Sequence, residues 1–245
     1  MLSYLLFPYY THILGTEQYG VVTDIYALIP FALVVLTMGM ESGFFSFTAK
    51  AEEAGGDVAA AKKRIFTTMW GITTLAAVIF FALVAAFAPE CSALMGEVYS
   101  ANPEYVVIVA AIVLFDVAGC IPFCRLRESG QALKYVAFKL ANIIMQVGFA
   151  AIFWAVGLFD SDFGVGWAFV ANLLASMVTA VSIVLSGKAM PKIHWALLGA
   201  IFAYSMPLLL SSIAGTAGEF IDRQLIKYLV PEGAMAQLGI YGAIT

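Results

Sequence analysis

Ionisable side chains stranded in apolar sequence are the first residues here that could do chemistry. Asp116 is the single charge within Tyr105–Cys124. Facing lipid as an orphan it would cost at least about 2.5–3.5 kcal/mol, so it is expected to face an internal lumen or a partner. Two roles fit: a titrating proton or sodium site, or a carboxylate tied to hydroxyls of neighbouring helices. Glu41 follows Thr37 by four residues and shares its helix face. It lies inside Gly39-Met40-Glu41-Ser42-Gly43, a GxxxG pattern that lets two helices approach closely. It either lines a cavity mouth or reaches headgroup water. Asp24 stands near the start of its apolar stretch and reads as a helix-start carboxylate on the positive end of the dipole, or else as part of a substrate or ion pathway.

A second group is periodic. Ser205, Ser212, Thr216, Glu219 and Arg223 recur at three-, four- and seven-residue steps and form one helix stripe, with Asp222 beside Arg223 and Lys227 one turn on. A stripe of this kind lines a water-filled cavity or bonds packed helices together. The pairs Asn142/Gln146 and Asn172/Ser176 carry the same two readings. Cys120 and Cys124 share a helix face, but both histidines, His12 and His194, are remote, and no carboxylate is expected to join the pair. They read as small hydrophobes. No metal and no cofactor is expected, and with Cys91 the three cysteines make no disulfide framework.

The elements that must position these residues follow from composition. Hydrophobic residues make up 62% of the 245 and charged ones 11%, with mean hydropathy +0.95. Soluble domains carry about a quarter charged residues, so most of this surface must face lipid. A net charge of −4 with no basic block excludes a nucleic-acid partner. Ile65–Ala88, Leu140–Phe159, Phe163–Gly187 and Trp195–Gly218 contain no charge at all. Val21–Phe47 is apolar apart from Asp24 and Glu41. With Tyr105–Cys124 these are long enough to cross a bilayer core of about 20 residues. Backbone polar groups in lipid must pair within their own segment, so the spans are helices. Met1–Leu14 reads as the remainder of a first helix and Gly239–Thr245 as the opening of an eighth. No basic n-region precedes the apolar opening, so no signal peptide is expected. Pro30, Pro122 and Pro207 are expected to kink their helices. The fold class is an all-α polytopic membrane bundle.

Loop charges orient it. All but two of the twelve Lys and Arg residues fall in alternate connections: Lys50 with Lys62–Arg64, then Arg125 to Lys139, then Lys188 and Lys192. The intervening loops hold Glu17, then Glu90, Glu97 and Glu104, then Asp160 and Asp162. The positive-inside rule places the N-terminus in the cytoplasm. Ile13–Val21 and Tyr228–Ile240 share an apolar helix end, a turn, and Gln-x-Gly before a β-branched residue. That repeat predicts a lobe over 1–190 and the opening of a second over 191–245, in a six-helix parallel arrangement.

At these residues the chain resembles the polysaccharide (O-antigen type) flippases of the multidrug/oligosaccharidyl-lipid/polysaccharide exporter superfamily. The similarity runs through Phe7-Pro8-Tyr9-Tyr10-Thr11-His12-Ile13-Leu14-Gly15-Thr16-Glu17-Gln18-Tyr19-Gly20, then Gly39–Phe45, Ser205-Met206-Pro207-Leu208, Ile221-Asp222-Arg223 and Leu238-Gly239-Ile240-Tyr241. Ser46 departs from it where a basic residue would follow the Phe-Phe pair. The resemblance implies a bacterial inner-membrane protein with two six-helix lobes. The implied partner is an undecaprenyl-pyrophosphate-linked oligosaccharide, moved by alternating access with a proton or sodium as coupling ion. Such a substrate needs cations, and Arg125, Arg127 and Lys139 could catch its phosphates, or serve only as topology signals and contacts to anionic lipid. The interiors of the first six helices hold no Lys or Arg, so central cations would have to come from elsewhere in the protein. Two other functions compete. A cation-coupled drug exporter of the same superfamily would use Asp116 and need no basic mouth. A membrane-embedded glycan polymerase or glycosyltransferase would gather acids at one face. The outer Asp160-Ser161-Asp162 is better read as a solvated turn, so an enzyme is not the expectation.

Overall fold

The computed structural model describes residues 16–161, 163–187, 190–229 and 233–244. The described part is helical, with no strand. In chain order the helices are α1 (Thr16–Thr37), α2 (Met40–Ala54), α3 (Val58–Ala86), α4 (Ala88–Met95), α5 (Glu97–Ser100), α6 (Pro103–Glu128), α7 (Ala132–Ala155), α8 (Gly166–Gly187), α9 (Trp195–Leu229) and α10 (Ala234–Ile244). Six stretches are long and apolar enough to cross a membrane, and α1 with α2 counts as one of them. These are the six expected from the sequence. The reading of Met1–Leu14 as a helix remnant lies outside the described residues.

Cross-links between distant residues mark the two ends of the bundle. At one end Lys62 pairs with Glu52 and Glu128, the Lys192 amide bonds the Thr67 carbonyl, and Arg125 bonds the Gly187 carbonyl. This end carries the basic loops. At the other, the Tyr105 hydroxyl bonds the Phe163 carbonyl at 2.7 Å and Tyr99 meets Asp24. This end carries the acidic loops. The predicted alternation of loops is therefore the observed up-and-down topology.

The span read as Val21–Phe47 is not one helix. It breaks after Thr37, where Met38 (φ 51°) and Gly39 (φ 68°) both take left-handed backbone. A second observation explains the glycine. A Cβ at Gly39 would lie 2.8 Å from the Ser205 carbonyl oxygen, and one at Gly43 would lie 3.0 Å from the Ser205 hydroxyl. The GxxxG pattern thus brings α2 against α9, and Glu41 sits in the first turn of the resumed helix. Pro30, Pro122 and Pro207 all lie inside helices. Within Val21–Phe47 the helix is interrupted at the Met38-Gly39 pair and not at Pro30.

Close approach also seats α10 on α1. A Cβ at Gly20 would collide with the Met235 carbonyl, and one at Gly242 with the Thr23 side chain. Helices surrounded by lipid gain little from apolar burial against each other and associate through such close, small-residue contacts. The main core joins α1, α6 and α8 through Ile25, Ile112, Val113, Val117 and Phe169, all at 1% exposure or less. A smaller cluster around Met40, Met69 and Ile121 joins α2, α3 and α6 near the basic end.

Candidate functional site

Asp116, Glu41, Arg127 and Lys139 line one cavity of about 260 Å³ between α1, α2, α6, α7 and α8. Its other polar walls are Cys120, Cys124, Asn142, Asn172, Ser176 and Thr179. On α6, residues 116, 120 and 124 are successive i,i+4 steps, so one helix face supplies the carboxyl and both thiols. The Ser176 hydroxyl and the Lys139 charge both act on the Asp116 carboxyl. Asp116 therefore faces inward, as the cost of an orphan carboxylate predicts. The Asn142 amide donates to the Thr179 hydroxyl at 3.0 Å, and the Gln146 amide to the Tyr26 hydroxyl at 3.4 Å, so both members of that pair bond neighbouring helices.

The cations are held over aromatic faces. The Lys139 ammonium sits 4.4 Å from the Phe123 ring centre. Arg127 lies 5.2 Å from Phe45 and 5.8 Å from Tyr135. Cation–π contact of this kind is worth about 0.5–1 kcal/mol at exposed sites and leaves N–H donors for an anion. Arg125 does not join them. It stacks over Phe66 at 4.6 Å and lines a separate cavity of about 190 Å³ with Lys134, Gln131 and Ser129. The three expected phosphate-capturing residues are thus divided between two cavities.

Asp24 corrects the reading made from sequence. It lies two turns inside α1, so it is no cap for that helix. Its side chain is 2% exposed and pairs with the Lys227 ammonium at 2.6 Å, itself 7% exposed. The Tyr99 hydroxyl donates to it at 2.7 Å and the Gln224 amide at 2.9 Å. One turn back on α9, Arg223 donates to the Thr23 carbonyl at 3.2 Å. Four donors from α5 and α9 therefore converge on Thr23-Asp24 of α1. Lys227, Gln224 and Tyr99 were not expected here, because nothing local in the sequence connects them to Asp24.

The polar stripe of α9 divides along its length. Ser205 is fully buried against Gly39 and Gly43, and its hydroxyl has no hydrogen-bond partner among the described residues. Ser212 is exposed, and Thr216 bonds the Ser212 carbonyl of its own helix at 3.0 Å. Asp222 is exposed, while Arg223 joins the Asp24 cluster. The side chain of Glu219 lies outside the described residues, as do Asp162 and the side chain of Asp160. The stripe is one face by sequence, and among its described side chains Ser205 and Arg223, at its two ends, meet other helices.

Glu41 also departs from the sequence reading of the cysteines. Its carboxylate and the Cys120 and Cys124 sulfurs all lie within 4.8 Å of one another. A carboxylate does join the pair, brought from α2 by the break at Met38-Gly39.

Chemically, the cavity offers an inward-facing acid at Asp116, an exposed one at Glu41, and the cations Arg127 and Lys139. No curated protein and no solved structure matches the chain. The polysaccharide biosynthesis protein family profile matches residues 1–245, and a helical membrane bundle with a polar internal cavity agrees with it. The chain belongs to the polysaccharide biosynthesis protein family.

Proposed function

We propose that this chain moves a lipid-linked oligosaccharide across the bacterial inner membrane by alternating access, acting as a transporter rather than an enzyme. Residues 1–190 act as one lobe, and 191–245 open the second. The basic end faces the cytoplasm. The observation that carries this reading is the polar cavity inside an apolar bundle, lined by Asp116 and Glu41 with Arg127 and Lys139. At about 260 Å³ it is smaller than the roughly 300–1,000 Å³ of drug-sized sites. It suits a diphosphate head or a coupling ion, with the sugar chain remaining outside it. The Asp24–Lys227 cluster holds α1 to α9 at the acidic end, which agrees with a conformation closed towards the periplasm. The broken helix at Met38-Gly39 packs against Ser205 and Leu208 of α9, the turn that contains Pro207. Interrupted helices of this kind are what rocking transporters use at their central sites.

Arg127 and Lys139 supply the test. Replacing both with glutamine keeps polar groups but removes the charge that meets phosphate. In proteoliposomes, the apparent affinity for a polyprenyl-pyrophosphate oligosaccharide is expected to fall at least about tenfold, or 1.4 kcal/mol. The loss should shrink at high salt, because screening already weakens exposed charge pairs. Unchanged affinity in a correctly inserted double variant would remove these cations from substrate recognition.

A cation-coupled exporter remains the second reading, favoured by the inward-facing Asp116. It differs in needing no phosphate on its cargo, so it predicts that the glutamine variants transport normally.

A further inference from the structure

We propose that Glu41, Cys120 and Cys124 form a divalent-metal site of the zinc class. The site would tie α2 to α6 across the cavity.

The argument begins with donor chemistry. Two thiolates and one carboxylate are a borderline-soft ligand set that suits zinc rather than magnesium or calcium, which take oxygen ligands. Geometry comes next. Tetrahedral zinc with Zn–S bonds of about 2.3 Å places its ligand atoms about 3.8 Å apart. Here the carboxylate oxygen and both sulfurs lie within 4.8 Å of one another. Rotamer adjustments of the order of 1 Å bring such atoms to a common centre, with no backbone movement. The i,i+4 spacing of Cys120 and Cys124 fixes both sulfurs on one rigid helix face, as metal-binding residue pairs on helices require.

The surroundings favour the bound state. Cys124 is 3% exposed and Cys120 is partly buried, so two of the three ligands are already withdrawn from water. One zinc with two thiolates and a carboxylate carries a net single negative charge. Arg127 and Lys139 line the same cavity, and the first turn of α2 presents its positive dipole end beside Glu41. The fourth coordination position would open to the cavity, where water or a phosphate oxygen fits. Cys91 stands apart on α4 and takes no part.

Cobalt titration of the chelator-washed chain in detergent tests the assignment, since cobalt in a thiolate site shows charge transfer in the near ultraviolet. The expected result is one cobalt per chain, displaced by zinc, with that band. Cys120→Ser or Cys124→Ser should abolish the band, Glu41→Gln should weaken binding at least tenfold, and Cys91→Ser should change nothing. Absence of the band in the wild type overturns the site, as does full affinity in Glu41→Gln or a band lost with Cys91. Should a serine variant misfold, the wild type decides the matter alone. Zinc must then protect Cys120 and Cys124, but not Cys91, from thiol alkylation. Equal labelling of all three with and without zinc leaves the cluster as a thiol–carboxylate hydrogen bond and contradicts the proposal.

Discussion

Lys227→Met is expected to destabilise the chain by about 3–5 kcal/mol, the usual cost of stranding one charge of a buried pair. Asp24 and Lys227 are 2% and 7% exposed and lie 2.6 Å apart. Without Lys227, the Asp24 carboxylate keeps Tyr99 and Gln224 as donors but loses its counter-charge. Asp24→Leu should do similar damage from the other side, because it leaves an ammonium among apolar neighbours. The double variant Asp24→Leu/Lys227→Met should recover much of the loss, since replacing a buried pair with apolar groups is often near neutral. Unfolding in mixed micelles measures all three. Single losses below about 0.5 kcal/mol, typical of surface pairs, would contradict a buried clamp. So would a double variant whose loss equals the sum of the singles.

The second large effect concerns transport alone. Asp116→Asn is expected to reduce translocation to the level of empty vesicles, with membrane insertion and unfolding midpoint unchanged. Asparagine is nearly isosteric and retains a group for the Ser176 hydroxyl, so packing is preserved. It cannot change charge state, and a carboxylate held inside a membrane bundle at a cost of kilocalories is retained for that property. Transport by a well-inserted Asn variant at the wild-type rate would reduce Asp116 to a structural residue.

The structural features legible in the sequence are those with a local cause. Uncharged runs such as Ile65–Ala88 had to be spans, and the basic loops had to share one end. Asp116 had to face inward because lipid would penalise it. The Gly39–Gly43 pattern announced a close helix contact without naming its partner, which is α9 at Ser205. What remained hidden is long-range. Asp24 and Lys227 are 203 residues apart, so periodicity cannot connect them, and a carboxylate near an assumed helix start read as a cap. The Met38-Gly39 break was hidden inside an evenly apolar run, where prolines were the more visible interruptions. That break carries Glu41 towards Cys120 and Cys124, so the cysteine cluster was hidden with it. Arg125 and Arg127 sit two apart on one helix and therefore point in different directions, which divides them between cavities.

Transport of a lipid-linked oligosaccharide by this chain is open to direct measurement. Proteoliposomes containing it, loaded on one leaflet with a fluorescent polyprenyl-pyrophosphate oligosaccharide, test that most directly, with a membrane-impermeant quencher reading arrival at the opposite face. Transfer well above protein-free vesicles is expected, lost in Asp116→Asn and weakened in the Arg127→Gln/Lys139→Gln double variant. Transfer no faster than in protein-free vesicles, by a chain shown to be inserted and folded, would contradict it.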